Sequence, residues 1–300
     1  MTTNNVFYDR RNNIEYDIER LRKNIVRRLI KEYPYLNENE SYGNLFINLL
    51  SGRNKFPQSY KESILNKVSE VITMIKEEER VRRVRDEVYK LFKENAKNDY
   101  QKADWIFPNH FDIMVDLCKD MCKKYGGDVV VCELASYLHD AGLVVGRTTN
   151  SIEGHESRSA EYAKEVLKKG EFSQRVIDQV VECILITDKK EVDRPKLLNA
   201  DIVRTADILS QFISIHYFAK ASFFNNWEFF YKWLKDRVES CYKKIYFEEE
   251  KMVAKPIRDY LLKAIELYER HRNSYPSIFS NEQNNAKEKT NNPKKSWKEK

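Results

Sequence analysis

Apolar residues recur at every third or fourth position along most of the chain, and only eight glycines and seven prolines among 300 residues interrupt them. Such a period lines up on one side of a helix, so the sequence predicts a nearly all-helical protein. "IEYDIERLRKNIVRRLIKEY" carries the stripe Ile14, Ile18, Leu21, Ile25, Leu29 and Ile30, which predicts an amphipathic helix ending before Pro34. After a loop containing Gly43 and "SGRNKFP", a charged segment from Ser59 to about Asn95 reads as one or two helices. Residues 1–100 therefore read as a helical accessory region, residues 101–272 as the main domain and residues 273–300 as a disordered, Asn/Lys-rich basic tail.

Apolar density rises in the middle region, and all five histidines lie there. "HFDIMVDLCKDMCKKY" predicts a helix capped by Asn109 or Asp104 and ended by Gly126 and Gly127. "DVVVCELASYLHDAG" is apolar on most sides and closes at Gly142, the pattern of a central buried helix. Further helices are expected in "HESRSAEYAKEVLKKG", "SQRVIDQVVECILITD" and "PKLLNADIVRTADILSQFI", then two aromatic-rich ones up to about Arg272.

The net charge of +6 is no argument for a nucleic-acid groove, because residues 281–300 alone hold six Lys against three Glu. The aromatics of "YFAKASFFNNWEFFYKWLKDRVESCYKKIYF" suit core packing better than base stacking, so nucleic acid stays a secondary expectation as partner. No apolar run approaches the roughly 20 residues of a membrane span, and the amino terminus lacks a signal-peptide core, so the expected setting is cytoplasmic, with no membrane partner. Five cysteines are too few for a disulfide scaffold, and Cys118 and Cys122 lack a second Cys/His pair at zinc-finger spacing.

Against this background the polar residues stand out. His110 shares a helical face with Met114, Leu117 and Met121, which points its imidazole inward. His139 and Asp140 end the most apolar helix, and Asp201 interrupts "KLLNADIV". An unpartnered buried carboxylate costs several kcal/mol at least (about 2–7 for a neutral polar group alone), so these groups need one another or a shared cation. Two imidazoles and two carboxylates on three helices can hold one divalent ion.

The order His, His-Asp, Asp, with "LASYLHDAG" as the central helix end, resembles the HD-domain superfamily of metal-dependent phosphohydrolases over about residues 105–270. "GHESRSAEYAKEVLKKG" is similar to the helix after the family motif, and "KMVAKPIRDYLLKAI" to the last helix of its small hydrolases. The resemblance implies an HD-type helical bundle, with His110, His139, Asp140 and Asp201 as metal ligands. It implies Asp140 as proton acceptor and His155 as general acid or substrate contact. Thr187 stands where members with two metals often carry a further histidine, which favours a single ion, and Asp188 reads as a cap. Asp207 is the rival of Asp201, and is assigned here to a salt bridge with Arg204 or another basic residue; His216 and His271 are assigned to packing or surface roles. Arg158, Arg147 and Arg204, with Lys189, are the candidates for binding a phosphate by charge-assisted hydrogen bonds.

The resemblance further implies hydrolysis of a small phosphorylated substrate, a phosphomonoester or nucleotide first, and a cyclic or oligonucleotide phosphodiester second. The cofactor is a divalent ion among manganese, iron, nickel, cobalt, zinc and magnesium. A third reading keeps the metal cage for structure and makes the chain a binding module for protein or RNA. No Walker-type loop is present in the sequence, and oligomeric state is not legible in it.

Overall fold

The computed structural model describes residues 6–9, 14–17, 58–96, 101–145, 154–187, 197–222, 224 and 226–274. The chain forms two compact units, Met1–Arg80 and Val81–Lys300. In the first, β1 (Val6–Asp9) pairs antiparallel with β2 (Ile14–Asp17), Phe7 opposite Tyr16. The helix expected from Ile14 therefore does not begin there. "IEYD" alternates at period two, and "VFYD" is rich in β-branched and aromatic residues, and these local signals prevail over the longer stripe at this end. Residues 18–33 of the expected helix, the Asn/Lys-rich tail beyond Ser274, Arg147, Asp188 and Lys189 all lie outside the described residues.

Helix α1 (Gln58–Asn95) is continuous. In the second unit its Val81, Val84, Val88 and Phe92 are buried at three- and four-residue spacing. A short α2 (Ala103–Ile106) runs through a π-helical turn (Phe107–Phe111) into α3 (Asp112–Tyr125). No cap is needed at Asn109 or Asp104, because the helical path is unbroken there; Asn109 instead donates to the Trp105 carbonyl at 2.8 Å. Gly126, at φ 89°, ends α3 in the left-handed conformation that a side chain resists. The Asp128 side chain caps α4 (Val129–Leu138) by accepting from the Val131 amide. Next come a 3-10 turn (Ala141–Leu143), α5 (His155–Lys169), α6 (Gln174–Ile186, capped by Ser173) and α7 (Leu198–Ile213).

α7 is the most deeply buried element. Apolar residues from α1, the π turn, α3, α4, α5 and α6 form one core with its first half. Its second half packs with α8 (His216–Ala221), α9 (Trp227–Lys244) and α10 (Glu248–Ser274) around Phe212, Tyr217, Phe230, Leu234, Val238 and Leu261. Most of the aromatic stretch thus serves packing, although Phe218 and Phe229 are exposed. All five cysteines are buried free thiols. Among the described residues no helix is long and apolar enough to cross a membrane. The described helices of the second unit form the expected all-α bundle, and the first unit contains one small hairpin.

Two contacts fix the frame around the 3-10 turn. The Gly142 amide donates to Ser159 Oγ at 2.8 Å, and the Gly142 carbonyl accepts from Arg158 Nε at 3.0 Å, so α5 holds the two peptide groups on either side of the Gly142 Cα. A Cβ on Gly142 would stand 2.0 Å from the His155 carbonyl oxygen, which is backbone and cannot swing aside. Gly142→Ala is expected to destabilise the protein by about 1–3 kcal/mol or more through this overpacking, read as a lowered denaturant midpoint at unchanged slope. An unchanged midpoint would show that α5 is not held this closely.

Candidate metal centre

Five elements converge here. The π turn carries His110 as its fourth residue; a π turn inserts an extra residue into the helical register and re-aims the side chains beyond it, a device frequent at functional sites. His139 caps the end of α4 and Asp140 opens the 3-10 turn. His155 is the first residue of α5, and α7 supplies Asp207. His110, His139 and Asp140 each offer a ligand atom within 4.8 Å of the others.

Hydrogen bonds decide which nitrogens face inward. His139 Nδ1 lies 2.8 Å from the Ser136 carbonyl oxygen, which can only accept, so Nδ1 carries the hydrogen. Ser210 Oγ donates to the Asp207 carbonyl at 2.7 Å and is therefore the acceptor for His110 Nδ1, also at 2.7 Å. In both neutral rings Nε2 is left with a lone pair, and the two Nε2 atoms face each other at 3.3 Å. Asp207 Oδ1 stands 3.4 Å from His110 Nε2 and 3.8 Å from His139 Nε2, while Asp140 Oδ2 is 3.6 Å from His139 Nε2. Facing lone pairs beside two carboxylates repel unless a positive centre lies among them. Donors bound at about 2.0–2.2 Å to one ion stand roughly 3–3.5 Å apart in tetrahedral or octahedral arrangements, so these side chains fit a first-row divalent cation.

His155 lies at the edge of this cluster. Its Nε2 is 3.4 Å from Asp140 Oδ1 and its Nδ1 is 3.3 Å from Glu156 Oε1. Asp140 thus reaches the imidazole pair with one oxygen and His155 with the other. Asp140 and His155 are also the more open members, with side chains 19% and 15% exposed against 3% for His110.

The structure also places the other residues that the sequence singles out. Asp201 and Arg204 are buried on α7, one turn apart. Asp201 precedes Asp207 by six residues, about 9 Å along the axis and about 120° around it, so α7 can present only one of the two to the histidines. The carboxylate that stands against His110 and His139 is that of Asp207, where the sequence reading places Asp201 and gives Asp207 to a salt bridge. Arg158 grips the Gly142 carbonyl, and the Thr187 hydroxyl donates to the Cys183 carbonyl. His271 is exposed, as expected, but His216 is not a peripheral residue: it is buried, with its ring centre 5.9 Å from that of His110 and 6.3 Å from that of Trp105. The missed residues had a signal. Asp207, Ser210 and Gln211 are polar at three- and four-residue spacing in the second half of α7, among Ile208, Leu209 and Phe212, a buried polar stripe that needs a purpose.

Burial pushes the His110 imidazole down, only partly offset by Asp207, and burial with the neighbouring His110 pushes His216 further down. Burial alone would raise the Asp140 carboxyl, but His139, His155 and His110 together hold it well below the usual carboxylate range. Neutral imidazole and ionised carboxylate are the forms that bind a cation.

The family model of the HD domain matches residues 109–211. Among solved structures, the chain is similar to a predicted HD superfamily hydrolase from an uncultured Thermotogales bacterium, at 17% identity and a TM-score of 0.41, with 63% of this chain and 91% of that chain covered. No curated protein matches the chain.

The buried histidines set a pH response. Folded His110 and His216 bind a proton less readily than the unfolded chain, where the value is near 6.5. Below about pH 6.5 the unfolded state therefore takes up protons that the folded state refuses, and stability falls with pH by up to about 1.4 kcal/mol per unit for each histidine. Asp140 contributes nothing in this window, since its depressed value matters only near and below the unfolded carboxylate range. Unfolding of metal-free protein monitored from pH 7.5 to 5.5 is expected to show this loss, reduced by one histidine's share in His216→Phe. A stability independent of pH over that range would contradict it.

Proposed function

We propose, from the match of the HD-domain family model to residues 109–211 and from the geometry of the site, that the protein is a metal-dependent phosphohydrolase whose ion is held by His110, His139, Asp140 and Asp207. The observation that carries this reading is the pair of Nε2 lone pairs facing each other at 3.3 Å beside two carboxylates. Asp207 takes the place that the sequence gives to Asp201, because the rotation of α7 turns only one of the two towards the histidines.

A divalent ion held by these residues would supply Lewis-acid chemistry, polarising a phosphoryl oxygen and lowering the pKa of water from about 15.7 towards about 7. The side chains do the rest. His110 and His139 remain neutral donors, their outer nitrogens committed to Ser210 and to the Ser136 carbonyl. Asp140, kept anionic, orients the attacking water with the oxygen that faces His155. His155, steadied between Asp140 and Glu156, protonates the departing alkoxide. Its place at the more open edge puts it where a substrate enters. The substrate is a small phosphomonoester, a nucleotide foremost. A phosphate group also finds α5 presenting its N-terminus at His155, favourable for an anion.

Elemental analysis of the purified protein, coupled to a phosphate-release screen over nucleotides, sugar phosphates and aryl phosphates, tests this reading. One divalent ion per chain and turnover of a monoester are expected, with His139→Ala abolishing both. Turnover confined to cyclic or oligonucleotide diesters would replace the monoesterase by a diesterase. Bound metal with no turnover on either panel would make the chain a binding module. A second comparison separates the two aspartates: Asp207→Asn is expected to lower metal affinity about a hundredfold or more, whereas Asp201→Asn changes it less than about tenfold. The reverse order would restore Asp201 as the ligand.

A further inference from the structure

We infer that Gln211, locked in orientation by Arg237 of α9, is a positioning residue for Asp207, so that a helix beyond the matched domain sets the geometry of the metal centre. The inference rests on the reading of Asp207 as a ligand. Gln211 Nε2 donates to Asp207 Oδ1 at 2.9 Å, and this is the same oxygen that stands 3.4 Å from His110 Nε2. Gln211 is 4% exposed, and Arg237 Nη2 donates to its Oε1 at 3.4 Å. A guanidinium only donates and a carboxylate only accepts, so the amide between them has one workable orientation. Were the amide reversed, its oxygen would face the carboxylate and its NH2 would face the guanidinium, both repulsive. Arg237 thus selects the amide rotamer, and the amide fixes which carboxylate oxygen, at which angle, meets the histidines. α9 (Trp227–Lys244) lies wholly outside residues 109–211, which gives the C-terminal helices a part in the site as well as in the core.

The positive charge of Arg237 is also felt at His110, and by itself it opposes a cation there. The two effects of Arg237 therefore have opposite signs on metal affinity. Removing a mere charge would tighten a cation, whereas removing a positioning residue loosens it.

The test is a titration of the full-length, metal-stripped chain with Mn²⁺ in competition with a fluorescent chelator, alongside the thermal midpoint of the metal-free protein. Arg237→Met, which keeps the length and apolar packing, is expected to weaken Mn²⁺ binding about ten- to a hundredfold, the range of outer-shell substitutions at metal sites. Arg237→Lys keeps a donor and is expected to recover part of the loss. Gln211→Leu is expected to weaken binding as much, and the double variant Gln211→Leu/Arg237→Met no further, because Arg237 acts through Gln211. Unchanged or tighter Mn²⁺ binding by Arg237→Met overturns the inference, as does a lowered thermal midpoint of the metal-free protein at unaltered affinity, which marks a purely structural role. Losses that add in the double variant overturn it too. A wild-type chain that binds no Mn²⁺, nor any other first-row divalent cation, removes the proposed function itself and this inference with it.

Discussion

Two imidazole nitrogens that face each other across 3.3 Å, each with its hydrogen directed away, are the constraint on which the site depends. Neutral rings left in that arrangement repel, and burial makes the repulsion stronger because little water is at hand to screen it. The two carboxylates next to them compound the demand for positive charge. A cation at this point, as proposed, would meet that demand.

The rest of the domain can be understood as the apparatus that maintains this approach. The π turn re-aims His110, and Phe107 and Phe111 of that turn pack edge-on against Phe92 of α1 and against each other. Arg85 joins α1 to α3 through two hydrogen bonds to Asp112, which holds the same segment from the other side. α5 grips the peptide groups on either side of the Gly142 Cα, and that grip sets the distance from Asp140 to His155. The last turns of α7 contribute the carboxylate proposed as a ligand, the hydroxyl bonded to His110 and the amide bonded to that carboxylate, all within five residues. On the proposed function, the residues that support these groups bear on the site through geometry, since none of them is a proposed ligand.

Much of this was legible in the sequence, for reasons specific to each residue. His110 was readable as inward-facing because Met114, Leu117 and Met121 share its side of α3, and His139–Asp140 because the helix before them is apolar on nearly every side. Gly126 marked its own helix end, since only a residue without Cβ takes φ 89° comfortably. Asp207 was harder. Choosing between two aspartates six residues apart requires the rotation of α7 about its axis, and that rotation is set by packing with α3, α4 and α8 to α10, which no local pattern records. His216 was missed because its proximity to His110 arises from the turn after α7, across 106 positions of chain. The hairpin at Val6–Asp17 was missed because a long helical stripe overlapped a short alternation, and the shorter signal prevailed at that end.

X-ray absorption at the edge of whichever first-row metal the purified protein carries tests the central claim most directly. The account predicts the outer-shell scattering of two imidazoles with a first shell of nitrogen and oxygen at about 2.0–2.2 Å, and loss of one imidazole's share in His110→Gln. A bound metal whose spectrum shows no histidine scattering, or one that His110→Gln leaves unaltered, would contradict it.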